Sequence, residues 1–212
     1  MALELESAVY DPTDKPKRVE EGTYPAHIKS LQTKDLNTKA GKAIVVNMTY
    51  KVADEVADQF QSVWEMDGYK YVRDDNGDKI PVTNGNGDQE QESCEHLIGR
   101  DFYDNGWFIF TETGSSSKNQ RYFDLLDKLG VKCKEEQIDG KKVKRLVLLE
   151  DDDVVGKPVM VTVKRQQYTT KETKGLPRDQ QDVRTIFRVT NLDSWREGSQ
   201  LSSDEISGDV PF

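Results

Sequence analysis

This sequence has few of the residues that build disulfide frameworks or acid–base sites. It has 2 cysteines and 2 histidines among 212 residues, too few to cross-link a scaffold of this size or to support much imidazole chemistry. No apolar run approaches the ~20 residues of a membrane helix, and the first residues lack the pattern of a signal peptide. The phosphate-cradling patterns GxGxxG and GxxxxGK with a following Ser or Thr do not occur. We expect no cofactor, no membrane association and a reducing compartment.

Hydrophobic residues are also scarce, at 34% of the chain. A typical globular domain has more, so we expect one modest core, with much of the remainder in loops or tails. The length fits one domain or two small ones.

Charge is plentiful but unevenly distributed. The net charge of −9 would argue against a nucleic-acid partner if it were spread uniformly. Residues 15–51, 118–149 and 157–196 instead carry +5, +4 and +5, whereas residues 54–105 and 197–212 carry −10 and −4. A basic surface can therefore exist within an acidic total.

Alternation of apolar and polar residues predicts five strands. These are residues 22–28, 43–52, 98–111, 159–164 and 183–192. A turn or bulge is expected within the third, at Asn105 and Gly106. After the third strand, Tyr122, Leu125, Leu126 and Leu129 recur at helical spacing, and Gly130 ends the predicted helix.

This order predicts an all-β fold with one helix, a five-stranded antiparallel OB-fold barrel. A generic β-sandwich is the alternative. The barrel domain spans residues 21–193, follows an N-terminal arm at 1–20, and contains an acidic insertion at 53–98 with a small hairpin around Asn76 and Gly77. Residues 194–212 lack periodicity and are predicted to form a disordered acidic C-terminal tail.

Three clusters of metal-ligand residue types have simpler interpretations. Cys94, His96 and Cys133 have poor spacing for zinc. Residues 74–78 are reminiscent of a calcium loop, but a turn explains them better. The four acids at 150–153 could hold Mg²⁺ in a nuclease, although a turn or a helix start is the favoured interpretation.

The C-terminal residues form the most specific motif. An acidic segment ends in Asp209-Val210-Pro211-Phe212, whose carboxylates can pair with basic residues while the ring fills an apolar pocket. This ending resembles the acidic tip of bacterial single-stranded-DNA-binding proteins, which recruits replication and repair proteins in that family. The resemblance implies a partner-binding site formed by Asp204, Glu205, Asp209, Val210, Pro211 and Phe212.

The core of the sequence is similar to another family, the phage-encoded OB-fold DNA-binding proteins. The similarity is carried by Gly22-x-Tyr24-x-Ala26-x-Ile28, Thr38-Lys39-x-Gly41 and Val154-Val155-Gly156-Lys157-x-Val159-x-Val161. It implies a cytoplasmic protein, located in the host cell if a phage encodes it. The acidic insertion departs from that family's pattern.

Sequence-independent binding of single strands needs cations for the phosphates and aromatic faces for the bases. Basic residues cluster on the first, fourth and fifth strands and in loops 37–42 and 169–182, which would flank the binding face of an OB barrel. Tyr168 is the first candidate for base stacking, followed by Trp107 and Tyr103, with core packing as the alternative. The predicted DNA-binding residues are Lys29, Lys34, Lys39, Lys42, Tyr103, Trp107, Lys164, Arg165, Tyr168, Lys171, Lys174, Arg184 and Arg188. The aromatic residues assigned mainly to the core are Tyr24, Tyr50, Phe108, Phe110 and Phe187.

We therefore predict a phage single-stranded-DNA-binding protein that is not an enzyme. It would coat and protect DNA during replication or recombination and recruit partner proteins through its acidic tip. A Mg²⁺-dependent nuclease or recombination enzyme using residues 150–153 and an acidic adaptor that binds only proteins are the alternatives. The tail could also compete with DNA for the basic face, in which case deleting residues 197–212 would tighten binding at low salt.

Overall fold

The computed structural model describes residues 18–67, 70–112, 116–138, 140–202 and 205–206. These residues are mostly β, as the sequence predicts. The strands are β1 (Gly22–Thr38), β2 (Gly41–Val52), β3 (Phe60–Ser62), β4 (Met66–Asp67), β5 (Lys70–Tyr71), β6 (Gln91–Ser93), β7 (Asp101–Tyr103), β8 (Trp107–Phe110), β9 (Lys134–Ile138), β10 (Lys141–Arg145), β11 (Pro158–Thr169) and β12 (Val183–Ser194). The α-helices are α1 (Gln120–Lys128) and α2 (Asp151–Val154).

The main sheet has the strand order β12-β11-β1-β2-β7, and β8 also pairs with β2. All of these pairs are antiparallel. The sheet has six strands where the sequence predicted five, because the predicted third strand bends between Asp104 and Gly106, where Gly106 has a φ of 85°. The bend expected at Asn105 and Gly106 is thus confirmed. An isolated parallel bridge between Asp104 and Val189 links this bend to β12 at the other end of the strand order.

Alternate residues of the central strands form the core, as their sequence pattern predicts. Tyr24, Ala26 and Ile28 of β1 are buried, and so are the equivalent residues of β2 and β11. Helix α1 packs Tyr122, Leu125 and Leu126 against them, and Gly130 ends the helical region with a φ of 69°.

Two hairpins of the main sheet are longer than predicted. Strand β1 continues to Thr38 and β2 begins at Gly41, so the predicted basic loop 37–42 is mostly strand with a two-residue turn. Strand β11 likewise continues to Thr169, and β12 begins at Val183. These extensions are mostly polar, and Leu31 and Leu36 of β1 lie an odd number of positions apart, so apolar alternation gave no sign of them.

The acidic insertion contains the small hairpin that the sequence predicts, with a bridge between Arg73 and Lys79. The Asp74 carboxylate closes its turn by accepting hydrogen bonds from two backbone N–H groups. Asn84 does the same in a second turn of identical build, which ends at Asp88.

The first part of the predicted disordered tail is folded onto the sheet, which corrects the prediction for that part. Ring atom Nε2 of His27 lies 2.9 Å from the carbonyl oxygen of Ser199, and the N–H of Leu201 donates to the carbonyl oxygen of Gly156 at 2.9 Å. Ile206 is buried. The apolar residues of this segment are too far apart to give a periodic pattern. Residues 1–17 of the predicted arm lie outside the described residues, as do Asp204, Asp209, Val210, Pro211 and Phe212.

Candidate nucleic-acid interface

The solvent side of the main sheet carries most of the predicted cations. Paired residues in an antiparallel sheet point to the same side, and neighbours along a strand alternate. Because Val46, Trp107 and Val189 point into the core, the alternate residues point outward. We call this surface the outer face. It includes Lys34, Thr49, Tyr103, Phe108, Phe110, Lys164, Tyr168, Arg184 and Arg188.

A row of outward residues crosses four strands of this face. Thr49 of β2 pairs with Tyr103 of β7, and the guanidinium of Arg188 lies 5.7 Å from the centre of the Tyr103 ring. Arg188 in turn pairs with Lys164 of β11. Two cations placed directly opposite each other repel, so an anion such as a phosphate would be stabilised between them.

A second pair of residues extends the row along the β11–β12 hairpin. Tyr168 lies opposite Arg184, and its side chain is 47% exposed, close to the 48% of Tyr103. Both rings therefore offer a face to solvent. Asn105 donates a hydrogen bond to Gln166 at 3.1 Å and so connects the bend after β7 with the hairpin.

Two aromatic residues of this face were missed by the sequence reasoning, which assigned them to the core. Phe108 and Phe110 are half-buried and point outward, because Trp107 and Ile109 of the same strand point inward. Their ring centres lie 6.4 Å apart with an angle of 20° between the planes. The ammonium of Lys118 lies 5.5 Å from the Phe110 ring centre. Strand β8 is apolar on both sides, so only the position of its partner β2 distinguishes the two faces.

A buried carboxylate holds the bend that separates Tyr103 from Phe108. Oδ2 of Asp104 accepts hydrogen bonds from the N–H of Met48 at 3.2 Å, the hydroxyl of Tyr50 at 3.1 Å and Nε1 of Trp107 at 2.9 Å. Oδ1 accepts from the N–H of Gly106 at 2.9 Å. Burial raises the pKa of the Asp104 carboxyl above its usual value, although these four hydrogen bonds oppose the shift.

Several predicted DNA-binding residues do not join the outer face. Trp107 is only 4% exposed and is a core residue, so its ring cannot stack on a base, which corrects that prediction. Arg165 points to the other side of β11, where its guanidinium approaches Tyr71 at 6.0 Å. Lys29 lies in the register shift of β1 between Ile28 and Ser30 and forms an ion pair with Asp101 at 2.8 Å. Arg184 on the outer face is also ion-paired, with Asp182 at 3.0 Å.

The remaining predicted cations lie at the ends of the two hairpins. Lys39 is in the turn between β1 and β2, and Lys42 pairs with Asn37 on the side opposite the outer face. Lys171 and Lys174 are exposed in the connection between β11 and β12. The lysines in these two connections add positive charge beyond the outer face, but strand pairing does not fix their positions.

The remaining candidate sites have structural roles in the described residues. At the start of α2 the N–H of Glu150 donates to Oδ2 of Asp153 at 3.2 Å, and the N–H of Asp153 donates to the backbone carbonyl of Glu150 at 3.0 Å, which confirms the helix-start interpretation. The carboxylate of Glu205 accepts hydrogen bonds from the N–H and hydroxyl of Ser202 at 2.8 and 2.7 Å. Among the residues that the structure describes, no three His, Cys, Asp or Glu side chains are grouped to hold a metal ion. The same residues include no helix of the length and hydrophobicity needed to cross a membrane.

The outer face thus combines four partly exposed aromatic rings with cations from three strands and both hairpins. Comparisons with protein families, with characterised proteins and with solved structures found no match to this chain.

Proposed function

We propose that this chain binds single-stranded DNA on its outer face without reading the base sequence. The observation that carries the proposal is the row formed by Tyr103, Arg188 and Lys164, continued by Tyr168 and Arg184. Exposed rings next to cations match the needs of an unpaired strand, whose bases stack while its phosphates are neutralised.

The strand order supports a finer proposal, that the main sheet is a barrel of the OB type. In that fold the second and third strands form the binding face, and the loops after the first and fourth strands flank it. Here β2, β7 and β8 would be the centre of the face, with the β1–β2 and β11–β12 hairpins on either side. The bridge between Asp104 and Val189 is the contact that would close the barrel.

The energetics favour a strand that is already unpaired. Base stacking on an aromatic side chain contributes roughly 1–3 kcal/mol per base, and duplex DNA hides its base faces. Four rings on the outer face could therefore engage several bases, whereas a duplex would contact only the cations. The same cations make affinity depend steeply on salt.

In the cell, we propose that the chain coats and protects DNA during phage replication or recombination and does not act as an enzyme. Its acidic C-terminal residues would recruit partner proteins. Asp209, Val210, Pro211 and Phe212 support this part of the proposal through their sequence alone.

The test is a fluorescence-anisotropy titration of labelled oligo-dT in dilute buffer. Tyr168→Ala should weaken binding about 10-fold, the equivalent of roughly 1.4 kcal/mol for one lost stack. Leu148→Ala is the control, because Leu148 is 42% exposed, close to the 47% of Tyr168, and lies outside the main sheet. No complex between the wild-type protein and oligo-dT would refute the proposal and favour the adaptor that binds only proteins. Cleavage of labelled strands in Mg²⁺ would favour the nuclease.

A further inference from the structure

The hairpin formed by β9 and β10 is a small sheet of its own. None of its ten residues is buried, and Ile138 is 46% exposed. A two-stranded hairpin alone is marginally stable in water, and an exposed branched apolar side chain adds to the cost. This surface therefore has the properties of one that a partner covers.

One side of this hairpin combines apolar and basic residues. Strand pairing places Ile138 opposite Lys141, Val143 opposite Glu136 and Lys134 opposite Arg145, all on the same side. Glu136 forms an ion pair with Arg145 at 2.6 Å, so Lys134 and Lys141 supply the net positive charge of this side. The ten residues include five basic and two acidic ones, a net charge of +3. A ligand for this side needs negative charge together with an apolar group, which phosphate alone does not offer.

The acidic insertion carries a surface with the complementary properties. Residues 54–67 contain five acidic residues and no basic one, and all five acids are exposed. Phe60, in the middle of this segment, is 67% exposed. It lines an open cleft of about 600 Å³ together with Trp64 and Glu21. This cleft could take up an aliphatic side chain.

We propose that the β9–β10 hairpin of one copy docks on residues 54–67 of a second copy, with Ile138 against Phe60. Charge complementarity selects a second copy as the occupant, because both surfaces belong to the same chain and have opposite charge. The contact joins two different surfaces. Each bound copy therefore keeps a free hairpin or a free acidic segment, and association continues into a ring or an open chain.

The test is sedimentation velocity without nucleic acid, so its result does not depend on the proposed DNA binding. Wild-type protein should self-associate at low salt, and its dissociation constant should rise about 10-fold or more between ~50 and ~500 mM salt. We then reverse the charge of each surface in turn, with the hairpin variant Lys134→Glu/Lys141→Glu and the segment variant Asp58→Lys/Glu65→Lys. Each variant should raise the dissociation constant of self-association by a similar factor.

Mixing the two charge-reversed variants gives the decisive result. In the mixture, the intact hairpin of the segment variant meets the intact segment of the hairpin variant, and the reversed hairpin meets the reversed segment. The mixture should therefore form a complex at concentrations where neither variant associates alone. Lys171→Glu/Lys174→Glu is the matched control for the hairpin variant, since it lowers the net charge by the same amount at exposed positions outside both surfaces. It should associate as the wild type does. Thermal unfolding should be unchanged in all variants, because none of the substituted residues is buried.

Three outcomes would overturn the proposal. The first is wild-type protein that stays monomeric at low salt up to about 200 μM, well above the range of functional affinities. The second is a charge-reversed variant that self-associates as the wild type does. The third is a mixture of the two variants that forms no complex. If the hairpin variant instead only lost affinity for a short oligo-dT, the hairpin would be part of the nucleic-acid surface. If the mixture associated but oligo-dT did not bind, the proposed function alone would fail.

Discussion

Replacing Asp104 with alanine would remove the acceptor of four hydrogen bonds at the bend between β7 and β8. Two of the donors are the side chains of Tyr50 and Trp107, which are both buried. The other two are the backbone N–H groups of Met48 and Gly106. Water has little access to these donors in the folded protein, so they would lose their acceptor without replacement.

The expected loss of stability is large. A buried donor without an acceptor costs about 1–3 kcal/mol, but the four bonds share one carboxylate and are not additive. Removing the charge also relieves its own desolvation. We expect Asp104→Ala to lower the free energy of unfolding by about 4 kcal/mol, a large part of the ~5–15 kcal/mol of a typical domain.

Urea unfolding followed by circular dichroism measures this loss, with Asp104→Asn as the matched variant. The amide oxygen can replace Oδ2, which accepts three of the four bonds, while the amide NH₂ faces the N–H of Gly106. Asp104→Asn should therefore lose only about 1–2 kcal/mol. A loss below about 1 kcal/mol in Asp104→Ala would refute the idea that this carboxylate holds the bend.

The raised pKa of Asp104 adds a pH dependence. The folded state binds this proton more tightly than the unfolded state, so the contribution to stability is fully present below the unfolded pKa of about 3.9. It is lost as pH rises through the higher folded pKa. The difference in free energy of unfolding between wild type and Asp104→Asn should thus be larger at acidic than at neutral pH. A constant difference across a series of urea titrations would contradict this.

Three further predictions concern other parts of the chain. In thermal unfolding, Gly156→Ala should lower the free energy of unfolding by about 1–3 kcal/mol more than Gly77→Ala does. Both glycines have positive φ (79° and 88°), but a Cβ at position 156 would lie 1.9 Å from a carbonyl oxygen of the C-terminal segment, whereas position 77 is open. Arg188→Ala should reduce the slope of log affinity for oligo-dT against log salt by about 0.7, while Arg165→Ala, on the other side of β11, should leave it unchanged. Tyr122→Phe should cost about 1–2 kcal/mol in urea unfolding, because this buried hydroxyl donates to one backbone carbonyl at 3.2 Å and accepts from a backbone N–H at 3.1 Å.

The sequence predicted those elements whose two sides differ in polarity. Tyr24, Ala26 and Ile28 recur at every second position, so both the strand and the side that faces the core were predictable. The burial of Pro25 and His27 between them was not, because it depends on what covers the other side. The helix that contains Tyr122 and Leu125 followed from apolar spacing in the same way. Local turn chemistry was equally informative, as the bend before Gly106 shows.

The outer face was harder to predict because it depends on partners far away in the chain. Strand β8 is apolar on both sides, so the outward positions of Phe108 and Phe110 follow only from the pairing with β2. The sequence identifies Lys164 and Arg188 as cations. That they form a cross-strand pair depends on the register of β11 and β12, which shifts between Thr162 and Val163. Single-residue patterns do not contain that information.

The docking of the C-terminal segment changes where a truncated protein should end. Cutting the chain at residue 196 would remove the backbone that contacts His27 and the buried side chain of Ile206. Such a protein would lose both the packing of the C-terminal segment and its acidic residues, so either loss would be able to change the affinity for DNA. A chain that stops directly after Ile206 keeps these contacts and still lacks Asp209 to Phe212, so comparing the two end points separates lost packing from lost charge.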